Sequence, residues 1–199
     1  MLVVTSSAKR VSSFDQLYAE IERLPEGITG QILVPGMITT LPRPTPAHQY
    51  ALQGIGHDLR RQFDPKRASN SKRWWILPEV EIRLPGGRLA VPDLAGWRVD
   101  RVPRMPSENP IVTLPDWCAE VLSPSTAATD RAVKLTLYAK CGVGHVWMVD
   151  PTLRLVEAYE TRGERPTLVA TARDAETDAL PPFEAGFDLG GWWAEEPVT

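Results

Sequence analysis

The sequence predicts a mixed α/β fold built on one central sheet, and three observations predict it. Residues 117–122, 123–140 and 143–149 read in turn as strand, helix and strand, the order of a right-handed crossover whose two strands run parallel. Residues 74–84 and 88–99 flank a Pro85-Gly86-Gly87 turn and so make a hairpin. Residues 14–24 and 47–63 carry apolar side chains at helical spacing.

In the first helix these are Phe14, Leu17, Tyr18, Ile21 and Leu24, with Ser12 or Ser13 as cap and Pro25 as stop. Residues 28–41 are interrupted by Gly30, Pro35 and Gly36, which predicts two short strands around a turn. Pro42-Arg43-Pro44-Thr45-Pro46 must be extended, because each proline fixes its own φ and restricts the residue before it. It leads into the helix over 47–63, where Tyr50, Leu52, Ile55 and Leu59 form an apolar stripe. Residues 64–73 are a polar, basic loop, and residues 101–115 a proline-rich one. Ser123-Pro124-Ser125-Thr126 starts the crossover helix with hydroxyl caps and a first-turn proline, and Gly142 ends it. Residues 153–159 and 167–171 pair around Arg162-Gly163, and residues 180–193, apolar at intervals, are expected across a sheet edge. Trp74, Trp75, Trp97, Trp117 and Trp147 lie mostly on strands, where packing is their default.

Composition narrows the classes. The 199 residues suit one domain over 1–199, and 43% hydrophobic with 24% charged residues excludes a disordered or fibrous chain. No apolar run approaches the roughly 18 residues of a membrane span, and residues 1–10 lack a basic stretch followed by an apolar one. Cys118 and Cys141 are too few for a disulfide framework or a thiolate zinc site. The expectation is a cytoplasmic protein with no membrane partner. The net charge of −3 hides an asymmetry: residues 43–104 hold twelve Lys/Arg against six Asp/Glu, residues 151–199 four against ten. A basic segment in an acidic protein can draw a polyanion to one face, or be an ordinary solvated surface.

Two carboxylates stand where none is expected. Asp93 lies within Val91-Pro92-Asp93-Leu94-Ala95 and Glu120 within Ala119-Glu120-Val121-Leu122. Burying either alone costs on the order of several kcal/mol unless it is paired or neutralised. On neighbouring strands they would make a site for a hard divalent cation; the plain alternative is a strand-end Asp and an arginine-paired Glu. Asp130, Lys134 and Tyr138 are spaced by four and share a helix face, from which Lys134 could reach the carboxylates or simply pair with Asp130.

Taken together, Pro92-Asp93, Glu120-Val121-Leu122-Ser123-Pro124-Ser125-Thr126, Asp130, Lys134, Tyr138, Gly142 and Trp147-Met148-Val149-Asp150-Pro151 resemble the Uma-type family of putative restriction endonucleases, within the PD-(D/E)XK nuclease superfamily. The resemblance extends to Pro42-Arg43-Pro44-Thr45-Pro46-Ala47-His48 and the C-terminal hairpin. It implies a restriction-endonuclease-like fold, a mixed central sheet flanked by helices, with added N- and C-terminal hairpins. It implies metal-dependent hydrolysis of DNA, with Asp93 and Glu120 as ligands of Mg2+ or Mn2+, joined by the carbonyl of Val121. The superfamily's lysine stands two residues after the glutamate; here that place is Leu122, and the role passes to Lys134. Arg60, Arg61, Lys66, Arg67, Lys72 and Arg73 would hold the backbone of double-stranded DNA through phosphates. His48, Glu79 and Glu81 are accessory candidates, the two glutamates by strand alternation. Because cutting a duplex needs two active sites, a homodimer is expected.

One departure opens a second reading. Relatives carry an acidic stretch ending Asp-Gly-Glu where this chain has Pro35-Gly36-Met37, and the preceding acid is replaced around Gln31 or Ile32. The alternative function is therefore a catalytically weakened nucleic-acid-binding or assembly module with the same fold.

Overall fold

The computed structural model describes residues 13–41, 43–66, 68, 73–175 and 179–194. Helix α1 (Phe14–Ile21) opens with a capping box: Ser13 Oγ accepts from the Gln16 N–H while the Gln16 side chain accepts from the Ser13 N–H. Strands β1 (Gly30–Val34) and β2 (Met37–Thr40) form the expected hairpin. Helix α2 (Pro46–Phe63) has proline in its first turn and Thr45 as cap, its hydroxyl accepting from the His48 N–H. Leu52, Ile55 and Leu59 are buried, but Tyr50 is exposed. Two residues before Leu52, it lies about 200° round the helix from the buried stripe.

The long hairpin is present and folded in its middle. Strands β3 (Trp74–Pro78) and β6 (Leu94–Arg98) pair from Trp74↔Arg98 to Pro78↔Leu94. Strands β4 (Ile82–Leu84) and β5 (Arg88–Ala90) continue in the same register, from Ile82↔Ala90 to Leu84↔Arg88. Between the halves Glu79 adopts φ 46°, and its N–H donates to the Asp93 carbonyl at 3.1 Å. Opposite, Pro92 has no N–H to offer a ladder. The two halves then join different sheets: β4 and β5 enter a four-stranded sheet of order β2-β1-β5-β4, while β3 and β6 stay in the main one. The one sheet expected from the sequence is thus two.

The main sheet is mixed and six-stranded. Strands β7 (Trp117–Val121), β8 (His145–Asp150), β9 (Leu155–Arg162) and β10 (Arg165–Arg173) complete the order β10-β9-β8-β7-β6-β3. As the crossover requires, β7 and β8 are parallel and their other neighbours antiparallel. The crossover itself is not one α-helix. It runs as α3 (Ala127–Thr129), a π-helical turn (Asp130–Lys134) and α4 (Leu135–Cys141), ending at Gly142 with φ 93°. Ser123 and Ser125, expected as caps, bond each other at 3.0 Å instead, and the Ser123 carbonyl accepts from the Thr126 and Ala127 N–H groups.

One sheet face packs against α2, the other against α4. The C-terminal segment does not lie across an edge: Leu180, Phe183, Phe187, Leu189 and Trp192 are buried on the α2 face with Trp117 and Trp147. Phe183 sits 5.1 and 5.3 Å from those two rings, and Trp192 Nε1 donates to Asp58 on α2 at 2.8 Å. Among the described residues no helix is long and apolar enough to cross a membrane.

The helix stop offers a clean test of backbone strain. A Cβ on Gly142 would meet nothing within 4 Å, so only its φ opposes a side chain. Gly142→Ala should therefore lower unfolding free energy by about 1–2 kcal/mol in urea titration, without loss of secondary structure.

Candidate active site

The fold in the long hairpin sets the site. Asp93 lies at the bend, just before β6, and the antiparallel pair Leu94↔Ala119 brings it beside Glu120 of β7. Its carboxylate is held at both oxygens: Oδ2 accepts from the Val121 N–H at 2.6 Å, and Oδ1 lies 3.1 Å from Nε2 of His48. His48 is in the first turn of α2, placed there by the Thr45 cap.

Glu120 points the other way from Ala119 and Val121, into the layer between sheet and crossover helix, and is 1% exposed. Oε2 accepts from Lys134 Nζ at 2.8 Å and Oε1 from the Tyr138 hydroxyl at 2.6 Å. Lys134 is itself 4% exposed and also stands 3.1 Å from Asp130 Oδ1, without the angle of a hydrogen bond. The π-helical turn carries both residues of that last contact, and such turns are frequent at functional sites.

Burial dominates the electrostatics. It pushes Glu120 up to about 8, against the attraction of Lys134 and with the repulsion of Asp93 and Asp130. Burial also opposes the charge on Lys134, but Glu120 and Asp130 outweigh it and hold the ammonium above its ordinary value. For His48 the order is the same: burial lowers it, yet the hydrogen bond and charge of Asp93 leave it raised.

Asp93, Glu120 and Lys134 line one cleft of about 300 Å³, with His48, Glu79, Asp130 and the exposed Arg43. The other predicted residues are elsewhere. The positive φ at Glu79 breaks the alternation that was to put both glutamates on one face: Glu79 turns into the cleft, whereas Glu81 accepts from the Tyr18 hydroxyl at 2.6 Å. Arg60 and Arg61 are exposed in the last turn of α2, near Asp64 (3.7 Å) and Asp58 (3.6 Å). That turn is about 18 Å along the helix from His48 at 1.5 Å per residue. Lys66 and Arg73 are exposed and line no part of the cleft; Arg67 and Lys72 lie outside the described residues. Arg43 lies in the proline-rich segment to which the family resemblance extends, but sequence reasoning assigned it no role of its own. Gln31 is buried with Oε1 unpartnered, and Ile32 is in the core beneath α1.

A mixed sheet with a parallel crossover, and carboxylates gathered where its central strands end, define an α/β protein of restriction-endonuclease-like fold. The chain belongs to the Uma2 family, described as "Putative restriction endonuclease", whose model matches residues 15–190. Among solved structures it is similar to a protein from Anabaena variabilis ATCC 29413, titled a putative nuclease belonging to DUF820. The two share 22% identity over 92% of this chain and 97% of the other, with a TM-score of 0.66. No curated protein matches the chain.

Proposed function

We propose that the protein is a divalent-metal-dependent endonuclease that hydrolyses phosphodiester bonds in DNA. The observation that carries this reading is the meeting of Asp93 and Glu120 in one cleft, with a buried lysine on Glu120. Carboxylates are hard oxygen donors, and each oxygen has two lone pairs of which the hydrogen bonds above engage one. Among the described residues no group of three or more His, Cys, Asp or Glu could hold a metal ion. Two carboxylates still suit Mg2+ or Mn2+, since magnesium is commonly held by one or two carboxylates, waters and substrate phosphate. Asp93, Glu120 and the Val121 carbonyl are the proposed ligands. When bound, the ion supplies a Lewis acid that activates water and offsets phosphate charge.

The chain's own groups do the rest. His48 and the Val121 N–H fix the Asp93 carboxylate, and Tyr138 and Lys134 fix that of Glu120. An ammonium has three donors; Lys134 uses one on Glu120 and turns one toward Asp130, leaving one for a developing phosphate charge. Arg60, Arg61, Lys66, Arg67, Lys72 and Arg73 hold DNA by sequence-independent phosphate contacts. Two copies act together on a duplex.

Calorimetric titration with Mg2+ or Mn2+, beside plasmid nicking in the same buffers, tests the reading. Saturable metal binding and metal-dependent nicking are expected. One observation favours the alternative of a nucleic-acid-binding or assembly module: among the described residues, His48, Glu79 and Asp130 do not combine with the two carboxylates into a group of three that could hold a metal ion. DNA binding with neither metal uptake nor nicking would select it.

A further inference from the structure

We propose that Arg43 is a substrate-binding residue, the cation at the mouth of the cleft that takes the phosphodiester group of the nucleic acid and brings it to Asp93 and Glu120. The inference rests on the nuclease reading of that cleft and adds the residue that admits the substrate.

The charge around the cleft calls for such a group. Four acidic side chains line it, Glu79, Asp93, Glu120 and Asp130, against Lys134, Arg43 and the imidazole of His48, which is taken by Asp93. Lys134 is buried and committed to Glu120 and Asp130, so its charge is already balanced. An anionic phosphodiester entering this field meets net repulsion unless a free cation stands at the entrance. Arg43 is exposed, lines the cleft and, among the described residues, pairs with no carboxylate. In this it differs from Arg60, Arg61, Arg83, Arg98, Arg101 and Arg131, each of which faces an acidic partner.

Its backbone is built to be stationary. Pro44 follows it and restricts its backbone to extended conformations, and Thr45 then caps α2. The first turn of that helix carries His48, which is bonded to Asp93. Arg43 is thus tied through five residues to the carboxylate that anchors the site. A guanidinium fork binds phosphate oxygens two at a time, with geometric as well as electrostatic selectivity. The basic residues at the far end of α2 cannot substitute for it, since about 18 Å of helix separates them from His48.

The test compares the full-length wild type with Arg43→Ala, Arg43→Lys and a charge-loss control, Arg165→Ala, at the exposed start of β10. Binding of a labelled DNA duplex is followed by anisotropy across a salt series, plasmid cleavage in Mn2+ gives kcat and KM, and calorimetry gives metal affinity. Arg43→Ala should raise KM about tenfold or more and flatten the salt slope by about one, the signature of a lost phosphate contact. Arg43→Lys should restore the salt slope but only part of the affinity, because an ammonium lacks the fork. Metal affinity should be unchanged in both, and Arg165→Ala should match wild type throughout. A wild type that cuts DNA with an Arg43→Ala variant of equal KM overturns this inference alone. So does an equal salt effect from Arg165→Ala, or a loss of metal affinity in Arg43→Ala. Arg43-dependent DNA binding in a protein that does not cut DNA in either Mg2+ or Mn2+ overturns the nuclease reading while keeping the phosphate contact. A wild type that does not bind DNA overturns both.

Discussion

Asp93→Asn is expected to abolish metal-dependent cleavage while leaving the fold and DNA binding in place. The substitution keeps the shape of the side chain. Its amide oxygen can still accept from the Val121 N–H, and its NH2 can face a His48 ring turned to the other tautomer. What is lost is one of two negative charges offered to a hard cation. Losing a group that merely supports a metal ligand typically costs 10–100-fold, so losing a ligand should exceed about 100-fold in kcat/KM. Metal-free DNA affinity should hold or tighten, since a phosphate then meets one carboxylate fewer. Plasmid cleavage, calorimetry with Mn2+ and anisotropy in EDTA separate these effects. Wild-type cleavage by Asp93→Asn would remove Asp93 from the site; loss of folding in circular dichroism would be answered by Asp93→Ser, which keeps an acceptor without the charge.

The two carboxylates were legible because their oddity is thermodynamic: a charge inside an apolar strand must be answered by something nearby. Lys134 was legible in part, through four-residue spacing that survives the π-helical turn well enough to keep it on Asp130. The turn itself left no mark, since π and α geometry draw on the same residue types. The fold in the long hairpin was equally silent. Positive φ is ordinarily marked by glycine or asparagine, and here it falls on a glutamate, Glu79, imposed by the two sheets that the hairpin must join. That one dihedral invalidated the alternation argument for Glu81 and brought Glu79 to Asp93. Likewise the C-terminal aromatics announced burial but not its place. Which sheet face they cover depends on α2, whose Asp58 lies 134 residues before its partner Trp192.

These misses share a cause. Local pattern reports what a segment needs, whereas the bend, the π-helical turn and the seating of residues 180–193 answer to contacts distant in sequence. The site sits where such contacts meet: β6 from the bent hairpin, β7 from the centre of the sheet, α2 through His48 and the crossover through Lys134. Asp93 and Glu120 are held by donors from three separate elements, so their positions depend on the whole arrangement rather than on any one strand.

Lys134→Met should then be the most destabilising change at the site, and its effect should depend on pH. Methionine fills similar volume, but Glu120 loses its cation while 1% exposed. Removing one partner of a buried pair costs about 3–5 kcal/mol near neutral pH, here as the cost of keeping Glu120 protonated where the unfolded chain has released the proton. The sign follows from burial, which already raises Glu120 above its unfolded value and does so more without Lys134. A carboxyl raised in the folded state keeps its proton where the unfolded chain has released it. Stability is therefore fully present below the ordinary carboxylate range and is lost as pH rises from there toward the folded-state value, by up to about 1.4 kcal/mol per pH unit. Urea unfolding in EDTA between about pH 4.5 and 9 should show this slope in Lys134→Met continuing above pH 8, where the wild type levels off because its Glu120 titrates at about 8. The double variant Glu120→Gln with Lys134→Met should recover much of the loss and flatten the slope, because the charge has gone from both sides. A Lys134→Met protein of wild-type stability and slope would mean that Glu120 finds water or another cation, and that Lys134 serves Asp130 alone.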